Sequence, residues 1–229
     1  MYQIRKKVYG NYRLTIEQDL TTPGPRTWDN LGIMVCLHSR YDLPDELNIN
    51  KDHFNSWPEI KKDIKQIGGR VILPLYLYIH SGLRIKTTAF NSRWDSGRVG
   101  FIFTTEEKIK NHFQTDKINK EIKTKAKKIL KSEVDIYNQY LAGDVYGYTI
   151  DFIPTGVIVD SCWGFYDINH LIETATNRIK RDRKKRINKK TQKLKTLILN
   201  NVSLETRQTI LNKDKNYWVK SGQESVNIQ

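Results

Sequence analysis

Residues 71–89 read VILPLYLYIHSGLRIKTTA, and this stretch decides the fold. Val71 to Ile79 is apolar on both faces except at Pro74, which has no N–H to give to a ladder and so places the strand at an edge or a bulge. His80-Ser81-Gly82 turns the chain back. Leu83, Ile85, Thr87 and Ala89 then alternate with Arg84, Lys86 and Thr88, the period-2 pattern of a half-exposed antiparallel partner. The hairpin makes an antiparallel sheet the organising element.

Working outward, Ile33 to Leu37 (IMVCL) and Val99 to Phe103 (VGFIF) supply further strands. Tyr146, Tyr148, Ile150 and Phe152 alternate as another, Pro154-Thr155-Gly156 turns, and Val157 to Phe165 returns. Helical signals lie between them. Ser56-Trp57-Pro58-Glu59 has capping-box spacing, Ile60, Ile64 and Ile67 share a helical face, and Gly68-Gly69 stops the helix. Thr104 and Glu107 are spaced to cap a short helix carrying Ile109 and Phe113. Over residues 117–142, Ile118, Ile122, Ala126, Ile129 or Leu130, Val134, Tyr137 and Leu141 recur at helical spacing, lysines cover the other face, and Gly143 ends the run. Ile168, Ile172, Ala175 and Ile179 form a last stripe, beyond which the helix is polar nearly all round. The expected fold is α+β: a core domain over residues 1–177, its mostly antiparallel sheet covered by the helices near 57–67 and 117–142. A basic helical extension and tail follow over 178–229.

The chain's 229 residues carry a formal charge of +14, and that excess is concentrated. Residues 178–195 hold Arg178, Lys180, Arg181, Arg183, Lys184, Lys185, Arg186, Lys189, Lys190, Lys193 and Lys195 against Asp182 alone, so about +10 lies here and about +4 elsewhere. Such a run neutralises phosphates whatever the base sequence, which points to nucleic acid; an acidic protein complex is the alternative partner and a merely solvated helix the bland reading. Nucleic-acid contacts are expected from Arg178, Arg181, Arg183, Lys184, Lys185, Arg186, Lys189 and Lys190. Aromatics for base stacking are absent from the run; Tyr217 and Trp218 lie beyond it in a tail expected to be loose or bound to the body. Cys36 and Cys162 sit in apolar strand-like runs and are expected to be structural thiols rather than a disulfide framework, as a reducing cytosol implies. The N-terminus has no uninterrupted apolar region of the signal-peptide kind, and no segment approaches the roughly 20 apolar residues that cross a bilayer, so no membrane partner is expected.

Trp28-Asp29-Asn30, Trp94-Asp95-Ser96-Gly97 and Asp160-Ser161-Cys162-Trp163-Gly164 each set a tryptophan close to an acid and small polar residues. With Gly143-Asp144-Val145-Tyr146-Gly147 and the His80 turn, they are expected to rim one polar, aromatic cleft, with Trp28, Trp94, Tyr146 and Trp163 as its recognition surface. Asp29, Asp95, Asp144 and Asp160 together with His38 and His80 are the candidate catalytic residues, since carboxylates beside histidine supply an acid and a base or hold a divalent metal for phosphodiester chemistry. The competing reading is ordinary turn chemistry, in which Asp accepts backbone N–H bonds. Paired Cys or His at zinc spacing, a phosphate loop, a dinucleotide fingerprint and a G-x-S-x-G elbow are all absent, so neither a cofactor nor a structural metal is implied.

WDNLGIMVCLHSRY, LPLYLYIHSGL, WDSGRVGFIF, QYLAGDVYGY and DSCWGFYD, spread over residues 28–166, resemble a family of small, functionally uncharacterised proteins encoded by bacteriophages and mobile elements. The resemblance implies an accessory role in the host cell cytoplasm, with countering of host defence as one such role. The family pattern has an acid immediately before the His-Ser-Gly turn, where this chain has Ile79. The basic run after residue 177 lies outside the resemblance. The expected function is binding of nucleic acid or a host nucleoprotein complex without catalysis. A metal-dependent hydrolase of nucleic acids or nucleotides, and a virion component whose arm contacts the genome, are the alternatives.

Overall fold

The alternating stretches pair into two four-stranded antiparallel sheets in the computed structural model, which describes residues 3–41, 43, 56–80, 82–92, 94–209 and 212. The fold is α+β. One sheet has the order β1 (Gln3–Tyr9), β2 (Tyr12–Gln18), β7 (Tyr146–Phe152), β8 (Val157–Phe165); the other has β3 (Ile33–Cys36), β6 (Ser96–Thr105), β4 (Gly69–Ile79), β5 (Leu83–Lys86). The α-helices include α1 (Trp57–Gln66), α2 (Glu106–Phe113), α3 (Lys120–Ala142) and α4 (Ile168–Asn201), and residues 204–209 are helical as well. The chain divides into two compact units, Met1–Ile172 and Glu173–Gln229, and both sheets belong to the first.

The second sheet is covered on both faces, which is why residues 71–79 carry no polar side. Leu73, Leu75 and Leu77 of β4 and Ile102 of β6 face Ala126, Leu130 and Val134 of α3. The opposite face presents Ile72, Phe101 and Phe103 to Ile60 and Ile64 of α1. Burying Ile60 and Ile64 to 4% and 2% exposure stabilises the helix by about 1.5–3 kcal/mol each. β4 is an interior strand, yet β5 pairs only with its Tyr76–Ile79 end and leaves Pro74 without a partner on that side. Just beyond, Leu75 pairs with Gly100 and Tyr76 with Arg98, so Val99 is an extra residue in β6. Pro74 therefore sits beside a bulge, as its missing N–H requires.

Three helix starts differ from expectation. Thr104 stays in β6 opposite Val71, so Thr105 becomes the cap of α2 and its Oγ1 accepts from Lys108 N at 3.3 Å. Ser56 precedes α1 but its side chain makes no capping bond. Helix α3 begins at Lys120 rather than 117 because Asn119 Oδ1 caps it through Ile122 N at 2.9 Å, and Gly143, at φ 75°, ends it. In the first sheet Tyr12, Leu14, Ile16, Tyr148 and Ile150 are buried. Cys162 is exposed on β8, because an edge strand has no neighbour to cover it, whereas Cys36 is buried as expected.

Candidate functional site

The end of β4 and the start of β6 carry the most unusual surface of the chain. Ile79 N donates to Asp95 O at 2.8 Å, and Asp95 N reaches Ser92 Oγ at 3.4 Å. Ser96 Oγ donates in turn to Ser92 O. With its neighbour pinned on both sides, Trp94 is turned outward and is 97% exposed. Large apolar residues scattered singly on a surface are ordinary, but an indole with almost no contact of its own makes Trp94 a candidate for recognition.

A row of side chains runs from this turn across the outer face of β4 and β5. Asp95 Oδ2 lies 3.8 Å from His80 Nδ1, and the His80 ring lies 6.1 Å from that of Tyr78. Tyr78 stacks on Phe90 at 5.3 Å, and Lys86 Nζ covers the Phe90 ring at 4.1 Å. The His80–Asp95 pair is well exposed, at 66% and 42%, so it contributes under about 1 kcal/mol and orients the imidazole more than it stabilises the fold.

The row separates two hollows. One, of about 590 Å³, is lined by Tyr78, His80, Arg84, Lys86 and Phe90 together with Leu141 and Ala142 at the end of α3. The other, of about 460 Å³, includes His38, Arg40, Trp94, Asp95 and Arg98. The bulge at Val99 sets Arg98 over the outer face, its guanidinium 4.4 Å from the Phe101 ring and 5.5 Å from that of Trp57. Its buried Nε makes no hydrogen bond to a described residue. His38 Nδ1 accepts from Arg40 N at 3.1 Å, which places the imidazole proton on Nε2, and its ring lies 5.1 Å from Tyr41.

Of the candidate catalytic residues, His38, His80 and Asp95 are thus gathered here, and Asp29, Asp144 and Asp160 are elsewhere. Asp29 is exposed in the loop before β3. Asp144 precedes β7 and accepts from Tyr146 Oη at 3.3 Å; burial first, then Asp144, pushes the Tyr146 hydroxyl above its ordinary pKa. Asp160 on β8 accepts from the buried Tyr148 Oη at 3.0 Å. The recognition tryptophans also part company: Trp94 lines the smaller hollow, Trp28 packs edge-on against Tyr166 at 5.7 Å, and Trp163 lies across Gly147 so closely that a Cβ there would meet the indole at 2.0 Å. Neither Trp28 nor Trp163 is among the residues lining the two hollows. Ser81 of the His-Ser-Gly turn and the Tyr217-Trp218 pair lie outside the described residues.

Two acids that no motif flagged, Asp19 buried and Glu133 half-buried, hold loops of the body in place. Asp19, 5% exposed, accepts from Thr21 N, Thr21 Oγ1 and Thr22 N through Oδ1 and from Gly164 N through Oδ2. The run Asp19-Leu20-Thr21-Thr22 is an Asx-turn signature that could have marked the first half of this set. Glu133 of α3 clamps the loop ahead of β3, with Arg26 at 3.1 Å.

The basic run lies wholly within α4, and every residue from Arg183 to Asn200 is exposed. Asp182, the lone acid, is engaged by Arg186 Nε at 2.5 Å. Among the described residues no three His, Cys, Asp or Glu side chains come together as metal ligands, and no helix is long and apolar enough to cross a membrane. Comparison with protein-family models, with curated proteins and with solved structures finds no match.

Proposed function

We propose that this protein binds nucleic acid through the exposed cations of α4, as an accessory factor of a bacteriophage or mobile element acting in the host cytoplasm and performing no chemistry of its own. The observation that carries this reading is the placement of eleven basic residues against one acid on one stretch of helix that is exposed without a break from Arg183 onward. Residues 178–195 span about 27 Å at 1.5 Å per residue, and charges disposed all round a rod of that length meet phosphates in any rotational setting. From Lys180 to Lys193 Ile187 is the one apolar side chain, with the exposed Leu194, Leu197, Ile198 and Leu199 following it, so the basic stretch itself has a high positive field that suits a polyanion rather than a base edge.

About half of the eleven cations face one backbone at a time, so about six contacts and a slope of log K on log[salt] near −5 are expected, at about 0.9 per contact. Replacing Lys184, Lys185, Lys189 and Lys190 together by Gln should remove about two of those contacts and flatten the slope on duplex DNA by about 2. A salt dependence unchanged in that variant overturns the reading. The hydrolase alternative keeps one observation in its favour, the gathering of His38, His80 and Asp95. Cleavage of labelled DNA or RNA, abolished in His80→Gln without loss of melting temperature, would replace the non-catalytic reading.

A further inference from the structure

The row at the end of β4 belongs to none of the basic helix's residues, and its chemistry is different. Along α4 there are cations and no aromatic rings; here rings and cations line the same two hollows. The hollows on either side offer Arg40, Arg84, Lys86 and Arg98 against a single acid, Asp95, so this patch of the first unit is also net positive.

We infer that this surface is a binding site for single-stranded nucleic acid, in which Trp94 stacks on an unpaired base while Arg40, Arg84, Lys86 and Arg98 take the flanking phosphates. Three features select that ligand. A base inside a duplex already has both faces covered, so an indole that is 97% exposed can gain a stacking partner only from a base that has left its helix. The hollows, of about 590 and 460 Å³, fall in the range that holds ligands of nucleotide size. And the cations sit beside the rings instead of in a separate stripe, which is the arrangement that tracks a flexible backbone while bases splay onto aromatic faces. Arg98 also lines the smaller hollow: the bulge brings its guanidinium there, braced by the Phe101 and Trp57 rings, and a guanidinium so held suits a phosphate oxygen. Ribose and deoxyribose strands share this chemistry, so both are tested.

The experiment is an anisotropy titration of the full-length protein with labelled oligothymidylate and oligouridylate of about twelve nucleotides, within the span of single-strand sites, beside a duplex of equal length. Trp94→Ala is expected to weaken single-strand binding about tenfold, with Trp94→Phe losing less because a ring remains, and with duplex affinity unchanged. Since Trp94 is almost entirely exposed, the melting temperature of both variants should match the parent, which separates loss of binding from loss of fold. An effect on one strand type alone names that strand as the ligand and supports the site. Parent-like single-strand affinity in Trp94→Ala, an equal loss on duplex, or displacement of the oligonucleotide by polyglutamate at equal charge would overturn it. The reading of α4 fails on a separate observation, unaltered duplex affinity and salt slope in the four-lysine variant, so either can fall without the other.

Discussion

Replacing Glu133 tests whether one carboxylate sets the path of the chain into β3. Its Oε1 accepts from Leu31 N at 2.8 Å, its Oε2 from Gly32 N at 3.1 Å and from Arg26 Nη1 at 3.1 Å, and Arg26 Nη2 donates onward to Gly32 O at 2.7 Å. The two side chains are only 7% and 11% exposed, so water cannot replace what is removed. Glu133→Ala removes the acceptor of two backbone N–H groups and of the Arg26 guanidinium; breaking such a pair from one side costs about 3–5 kcal/mol, and the better helix propensity of Ala returns about half a kcal/mol. Against a typical stability of about 5–15 kcal/mol that is a large fraction. Arg26→Ala should cost less, about 2 kcal/mol, because the carboxylate keeps its two backbone donors. The double variant should fall short of the sum of the singles by about 1–3 kcal/mol, as expected for partners in one network. Urea unfolding followed by tryptophan fluorescence, with the slope checked for constancy, measures all three. A loss below about 1 kcal/mol for Glu133→Ala, or singles that simply add, would refute the reasoning.

Other consequences can be checked on the same footing. Asp160→Ala leaves the hydroxyl of buried Tyr148 without its carboxylate and should destabilise by about 1–3 kcal/mol in the same urea assay; the Asp160–Tyr148 bond is structural, so nucleic-acid affinity should not move. Gly147→Ala drives a methyl into the Trp163 ring, so that indole must swing away, seen as a red shift in emission and a loss of about 1–3 kcal/mol. The Glu106 carboxyl, bonded to Lys110 and then to Arg70, is held below its ordinary pKa of 4.5. Its contribution is therefore present above that value and disappears as pH falls through the lowered one, so melting curves of Glu106→Gln and the parent should converge in acid and separate toward neutral pH.

Much of the fold was legible because burial writes a period into the sequence. Leu83 to Lys86, Tyr146 to Phe152 and the stripe from Ile122 to Val134 became β5, β7 and the core face of α3. Period-2 alternation reports which residues share a face, but it says nothing of which strand lies alongside. Cys162 shows the difference: the run around it reads as a strand and is one, yet β8 lies at the sheet edge and the thiol is exposed. The three Trp-acid segments mislead in the same way, since likeness of local composition carries no information about shared location. The Arg26–Glu133 clamp joins residues 107 apart in the chain and leaves no local pattern at all. The bulge at Val99 is equally silent, because an extra residue inside an all-apolar run does not disturb its hydrophobicity. That bulge nonetheless decides where Arg98 goes.

The division of charge explains why two nucleic-acid surfaces need not duplicate each other. About +10 of the total +14 lies in residues 178–195, so attraction at a distance and its screening by salt belong to α4. The face around Trp94 offers four cations beside its rings, so single-strand binding there should have a shallower salt slope, near −3 at about 0.7 per phosphate contact, while stacking itself is short-ranged. Raising the salt should therefore strip duplex binding first and leave a residual preference for single strands. That residue of affinity is what the ring at position 94 contributes, and its removal by Trp94→Ala should be largest, as a share of the whole, where the helix has been screened out.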